Sequence, residues 1–116
     1  MPQSGHYTVT PSELELLEFF ESEPLESEPG NGFWCYEFED SKGITVRLSC
    51  DSHAKSVQTV LLTRGEVVST VVHEGAEQME IDHNVLRCSF LLKRATQLEI
   101  TVQPRVSVNW TSLRTE

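Results

Sequence analysis

Apolar and polar residues change their period once along this chain. Over residues 13–21, at about 100° per residue, Leu16, Leu17, Phe19 and Phe20 share one face while Glu15, Glu18 and Glu21 take the opposite one, the pattern of an amphipathic helix. Thr10-Pro11-Ser12-Glu13 reads as its start. A Thr cap with Glu three residues on satisfies free amides reciprocally, Pro suits the first helical position, and Val9 and Leu14 are placed to form a hydrophobic staple. Pro24 pushes the residue before it out of the helical region, so the helix is predicted over 10–22. Residues 23–32 hold two Pro, two Gly and three Glu, the composition of an exposed acidic loop.

After Gly32 the period is two. Trp34, Tyr36 and Phe38 alternate with Cys35, Glu37 and Glu39, and beyond the turn at Asp40-Ser41-Lys42-Gly43 the residues Ile44, Val46, Leu48 and Cys50 alternate with Thr45, Arg47 and Ser49. A second hairpin, 57–63 with 66–73, turns at Arg64-Gly65 and is rich in β-branched residues. Met79 and Ile81 mark a shorter strand ending in a turn at Asp82-His83-Asn84. Residues 85–92 and 97–103 form a third hairpin across Lys93-Arg94-Ala95-Thr96, and Pro104 sets Val106, Val108 and Trp110 apart as a separate or edge strand. The strands fill 33–110, and 111–116 reads as a loose tail. One helix followed by about seven strands, with no alternation of the two, is the pattern of an α+β protein: an N-terminal amphipathic helix on a mainly antiparallel sheet or sandwich.

The length of 116 residues predicts a single domain, 1–116, with a core that needs neither disulfide nor metal. Cys35, Cys50 and Cys88 are odd in number with no close pair, and each falls in an apolar-patterned stretch, so they read as buried reduced thiols. The N-terminus has neither a basic start nor an apolar run, and no stretch approaches the length of a membrane span, which predicts a cytoplasmic protein.

Charge alters this picture most. Before Lys42 there are ten acidic side chains and no Lys or Arg; from Lys42 onward there are nine Lys and Arg against eight Asp and Glu. The whole net charge of −9 therefore lies in the first third. Solubility alone would be served by Glu spread along every strand, whereas a field segregated in this way repels nucleic acid and anionic membrane and speeds association with a basic partner.

No local chemistry accompanies the charge. No Gly-x-Ser-x-Gly elbow surrounds a Ser, no Cys has a His at a catalytic spacing, and the six Gly build no phosphate cradle, so neither an enzyme nor a cofactor is expected. Cys50 with His53, and His73 and Glu74 with His83, approach metal-ligand spacing, but neither set has its complement and no metal site is predicted.

A strand-rich, strongly acidic chain near a hundred residues with no catalytic signature resembles the small immunity proteins that bacteria make against contact-dependent growth inhibition and other polymorphic toxins. The stretches that carry the resemblance are Ser56-Val57-Gln58-Thr59-Val60-Leu61 with Gly65-Glu66-Val67-Val68, and 98–104 leading into Val106-Ser107-Val108-Asn109-Trp110. The resemblance implies a protein that binds the toxin domain of its own locus, often a basic nuclease, as a heterodimer, plugging the active site or covering a nearby surface.

On charge, the residues that would oppose such a toxin's Lys and Arg are Glu15, Glu18 and Glu21 of the helix and Glu23, Glu26 and Glu28 of the loop, with Glu37 and Glu39 extending the patch. Arg47 and Trp110 are candidates for a central anchor. The competing reading is a secretion chaperone or adaptor that holds an extended export segment in an apolar groove or by strand addition.

Overall fold

Two reciprocal hydrogen bonds start helix α1, Glu13–Phe20, in the computed structural model, which describes residues 10–90 and 96–111. Ser12 Oγ accepts the Glu15 N–H at 3.1 Å, and Glu15 Oε1 accepts the Ser12 N–H at 2.8 Å. The cap is thus Ser12 rather than Thr10. The Ser/Thr-x-x-Glu spacing occurs twice in overlapping frames, and the second frame is the one that closes both halves of the box. The helix stops at Phe20, two residues before the predicted end, because Glu21 turns into the left-handed region at φ 58°. Val9, and with it the expected staple to Leu14, lies outside the described residues.

Leu16, Phe19 and Phe20 are buried, each worth about 1.5–3 kcal/mol. Phe20 stacks on Tyr36 with ring centroids 5.3 Å apart, which docks the helix against the sheet. Leu17, predicted on the buried face, sits 100° from Leu16 at the rim and is 36% exposed.

Nine strands, not about seven, form two antiparallel sheets, and within each sheet every strand pairs with its neighbour in sequence. The first sheet runs β1 (Glu26–Glu28), β2 (Phe33–Glu39), β3 (Ile44–Asp51), β4 (Ser56–Thr63) and β5 (Glu66–Glu74). The second runs β6 (Ala76–Asp82), β7 (Val85–Phe90), β8 (Thr96–Thr101) and β9 (Ser107–Thr111). The acidic loop expected over 23–32 in fact contains β1, paired Glu26 to Cys35, Ser27 to Trp34 and Glu28 to Phe33, followed by a short 3-10 turn at Pro29–Asn31. A Glu-Ser-Glu strand shows no apolar alternation because it pairs through its backbone alone. At a sheet edge its charged side chains stay in water.

The turns follow local chemistry. Arg64 and Gly65 both take positive φ, 52° and 85°, as a two-residue hairpin of the primed type requires. Gly75, at φ 89°, is the single residue between the sheets, and its N–H and that of Ala76 both donate to the Lys55 carbonyl at 2.9 and 3.0 Å. The connection predicted across 93–96 and the residues of the predicted tail from 112 onward fall outside the described residues or at their margin. The last strand, β9, is an edge strand as its separation by Pro104 implies.

One core joins the two sheets and the helix. Val46, Leu48, Cys50 and Val57 of the first sheet meet Met79, Leu86, Cys88, Phe90, Leu98 and Ile100 of the second, with Leu16, Phe19 and Phe20 over one end. At the other end Trp110 Nε1–H donates to Thr59 Oγ1 at 3.1 Å, and its ring lies 4.9 Å from His73 and 5.6 Å from Phe90. All three cysteines are buried and free.

Candidate functional site

The basic residues of the two sheets are largely spoken for. Arg47 pairs with Glu37 at 3.0 Å, Arg87 with Glu99 at 3.0 Å and Glu80 at 3.8 Å, and Lys55 with Glu77 at 4.0 Å. Among the described residues, no carboxylate from Glu13 to Glu28 has an ion pair. Asp40 belongs to the fold, its carboxylate accepting three backbone N–H groups. Among the described residues the densest run of carboxylates without an ion pair is therefore that of α1, β1 and the link between them, while Glu39, Asp51, Glu66 and Glu74 stand without one singly.

Helix phase divides this charge. Steps of 100° place Glu13, Leu17 and Leu14 on the flank of α1 that faces β1, and Glu15 and Glu18 on the flank beside Ile81 and His83 of the β6–β7 turn. Glu21 turns toward the second sheet, where it accepts from Gln103 Nε2 at 3.0 Å. Register divides β1 in the same way. Ser27 shares the inner side with Trp34 and Tyr36, whereas Glu26 and Glu28 lie on the outer side with Cys35, Glu37 and Glu39.

The eight carboxylates predicted from sequence thus occupy two surfaces, one around the helix and one along the β1–β2 margin of the first sheet. Glu15, Glu18, Glu21 and Glu23 surround the helix. Glu26, Glu28, Glu37 and Glu39 form the outer margin of the first sheet. Four of them already hold partners: Glu15 the helix cap, Glu21 the Gln103 side-chain amide, Glu28 the Asn31 side-chain amide at 2.9 Å, and Glu37 Arg47. On that margin burial pushes the Cys35 thiol pKa up, Ser49 and Arg47 draw it down, and Glu26 and Glu37 add to the rise.

Between α1 and β1 runs a groove that the sequence does not announce. Its wider part, about 390 Å³, is lined by Glu13, Leu14, Leu17, Glu23, Pro24, Ser27 and Tyr36. A second hollow of about 210 Å³ shares Glu13, Ser27 and Tyr36 with it and extends toward Trp34 and Ser52. Glu13 and Tyr36 are absent from the predicted set. The phase of the helix pairs Glu13 with Leu17, but Tyr36 reads in sequence only as one inward residue of β2. Of the two candidate anchors, Arg47 is engaged by Glu37 and Trp110 lies at the far end of the sandwich.

The described histidines do not converge. His73 stacks near Trp110 and Phe90, while His83 Nδ1 lies 2.7 Å from Asp82 at an exposed turn. No group of three His, Cys, Asp or Glu able to hold a metal occurs among the described residues. No described helix is long and apolar enough to cross a membrane.

The arrangement defines a class: a helix-capped antiparallel two-sheet protein with a dense run of unpaired carboxylates on α1, β1 and the link between them. No family model matches the chain and no curated protein matches it. A chain in the contact-dependent growth inhibition toxin–immunity protein complex from Klebsiella pneumoniae 342 has the same fold, with a TM-score of 0.81 and 22% identity over 91% of this chain and 97% of that one. The resemblance read from the sequence is therefore met at the level of the fold.

Proposed function

We propose that this chain is an immunity protein, which binds a cognate toxin domain as a heterodimer and neutralises it without chemistry of its own. The observation that carries the reading is the fold shared with a chain of a toxin–immunity complex over nine-tenths of this sequence. The unpaired carboxylates around α1 and β1 support its finer part. They match a basic surface of the kind a nuclease uses to hold phosphates, and would cover it in place of substrate. The setting is cytoplasmic, where such a toxin would act.

The chaperone reading retains one observation in its favour. Strand β5 is an open edge with Val67, Val68 and Val72 exposed and no charged residue from Val67 to Val72, which suits the addition of an extended segment.

The test is to purify the tagged chain from its native host at low and then moderate salt, and to express the captured protein's toxin domain in cells with and without this chain. A folded basic domain that is partly released by salt, and whose growth arrest this chain relieves, is the expected result. An unfolded export substrate would favour the chaperone. Absence of any partner would reduce the acidic end to a solubility device.

A further inference from the structure

Tyr36 is only 3% exposed, yet its hydroxyl has no hydrogen-bond partner among the described residues. Its ring is held on two sides, stacked on Phe20 at 5.3 Å and edge-on to Trp34 at 5.5 Å, so it is fixed in the floor of the groove between α1 and β1. A polar group without a protein partner at the wall of a groove takes its hydrogen bond from whatever fills that groove.

The surroundings say what that something is. Leu14, 62% exposed, and Leu17, 36% exposed, present an apolar wall, and Pro24 stands across from them. Glu13 and Glu23 line the same hollow, and neither has an ion pair among the described residues. Burial first, and then Glu13 and Glu23, raise the Tyr36 pKa, so both carboxylates act on the hydroxyl. A volume of about 390 Å³ lies at the low end for ligand sites, roughly 300–1,000 Å³. The hollow therefore combines an apolar wall, two unpaired negative charges and a buried hydroxyl.

An arginine side chain has the complementary parts: an apolar stem, one delocalised positive charge, and five N–H donors in a planar fork. We propose that the α1–β1 groove receives one arginine side chain of a partner protein, its methylenes along Leu14, Leu17 and Pro24 and its guanidinium between Glu13 and Glu23, donating to the Tyr36 hydroxyl. The proposal deepens the partner-binding reading above and rests on it for the protein that supplies the arginine. It places the central anchor of that interface at Tyr36 rather than at Arg47 or Trp110.

The groove is testable without the toxin. N-acetyl-arginine amide titrated into the isotopically labelled chain at low salt should give saturable NMR shifts at Leu14, Leu17, Glu23, Ser27 and Tyr36, with none from the neutral isostere N-acetyl-citrulline amide at the same concentration. Tyr36→Phe, which keeps the ring, should weaken binding by about tenfold, the effect of losing one hydrogen bond to a charged group. Glu13→Gln with Glu23→Gln, both at exposed positions outside the core, should weaken it at least as much and carries the test if the Tyr36 variant does not fold. Equal shifts from citrulline, shifts spread over every acidic segment, or unchanged affinity in the double Gln variant would overturn the proposal. With a captured toxin in hand, tight binding unaltered by the double Gln change would refute the groove and leave the immunity reading standing.

Discussion

The carboxylate of Asp40 accepts the backbone N–H of Val106 at 2.8 Å, joining two positions 66 residues apart. Asp40 sits in the β2–β3 turn of the first sheet, and Val106 in the approach to β9 of the second. The same side chain accepts from Lys42 and Ile44 at 2.8 and 3.0 Å, so one ion shapes its own turn and ties the sheets together.

The Val106 N–H first, and then those of Ile44 and Lys42, hold the Asp40 pKa below its ordinary 3.8, against the opposing effect of burial. A carboxylate with a depressed folded-state pKa contributes its full stabilisation above the unfolded value, and loses it as the pH falls through the folded one. Asp40→Asn should therefore be less stable than wild type at pH 7, with the gap narrowing below pH 3.8. Urea midpoints at pH 7 and pH 3 measure this; an equal gap at both would show that the ionised oxygen is not what matters.

Cys50 and Cys88 lie in the core, and burial pushes both thiols up to about 12. Thiolate is the reactive form, so neither should react with a thiol reagent at pH 8 while the protein is folded, and both should react once it is unfolded in urea. Labelling of either at the rate of a free thiol in the native protein would contradict the packing described for the core.

Gly32 takes φ 68°, and a Cβ there would collide with Ser52 Oγ and His53 Cδ2 of the β3–β4 turn. Its carbonyl accepts the Ser52 N–H at 2.8 Å, which leaves the turn little room to withdraw. Gly32→Ala should cost about 2 kcal/mol or more, read from the urea midpoint.

Arg64 is an exposed residue held at φ 52° in the β4–β5 turn. Asn tolerates that conformation better and, followed by Gly65, makes the dipeptide that primed turns prefer. Arg64→Asn should raise stability by about 0.5 kcal/mol, visible as a small increase in Tm.

Replacing Glu15, Glu18 and Glu21 together by Gln should slow association with a captured toxin by about tenfold at low ionic strength and flatten its salt dependence. Folding should change by less than about 0.5 kcal/mol, because Gln also closes the cap at Ser12. Stopped-flow association at two salt concentrations separates these effects, and an unchanged rate would remove the helix from the encounter.

The strands that were legible in sequence are those with one face in the core. Ile44, Val46, Leu48 and Cys50 in β3, and Leu98 and Ile100 in β8, alternate because every second side chain leaves water. The Arg64-Gly65 turn was legible because its conformation favours few residues. Strand β1 was not, since Glu26 and Glu28 belong to a strand through their amides and to solvent through their side chains. The acidic third was plain as composition, but its division between two surfaces depends on the phase of α1 and the register of β1 on β2. The groove was hidden for a similar reason: the distinguishing feature of Tyr36 is an unpartnered hydroxyl, which an apolar alternation cannot reveal.

Only three residue pairs bind β1 to the sheet, and only Leu16, Phe19 and Phe20 of the helix enter the core. Much of the rest of the segment from Ser12 to Gly32 is exposed and lies along the edge of a frame of consecutive hairpins. Its exposed positions can drift, change sign or be exchanged wholesale while those few anchors keep it in place. A lineage of such proteins can thus acquire new specificities at its rim without ever reinventing its frame.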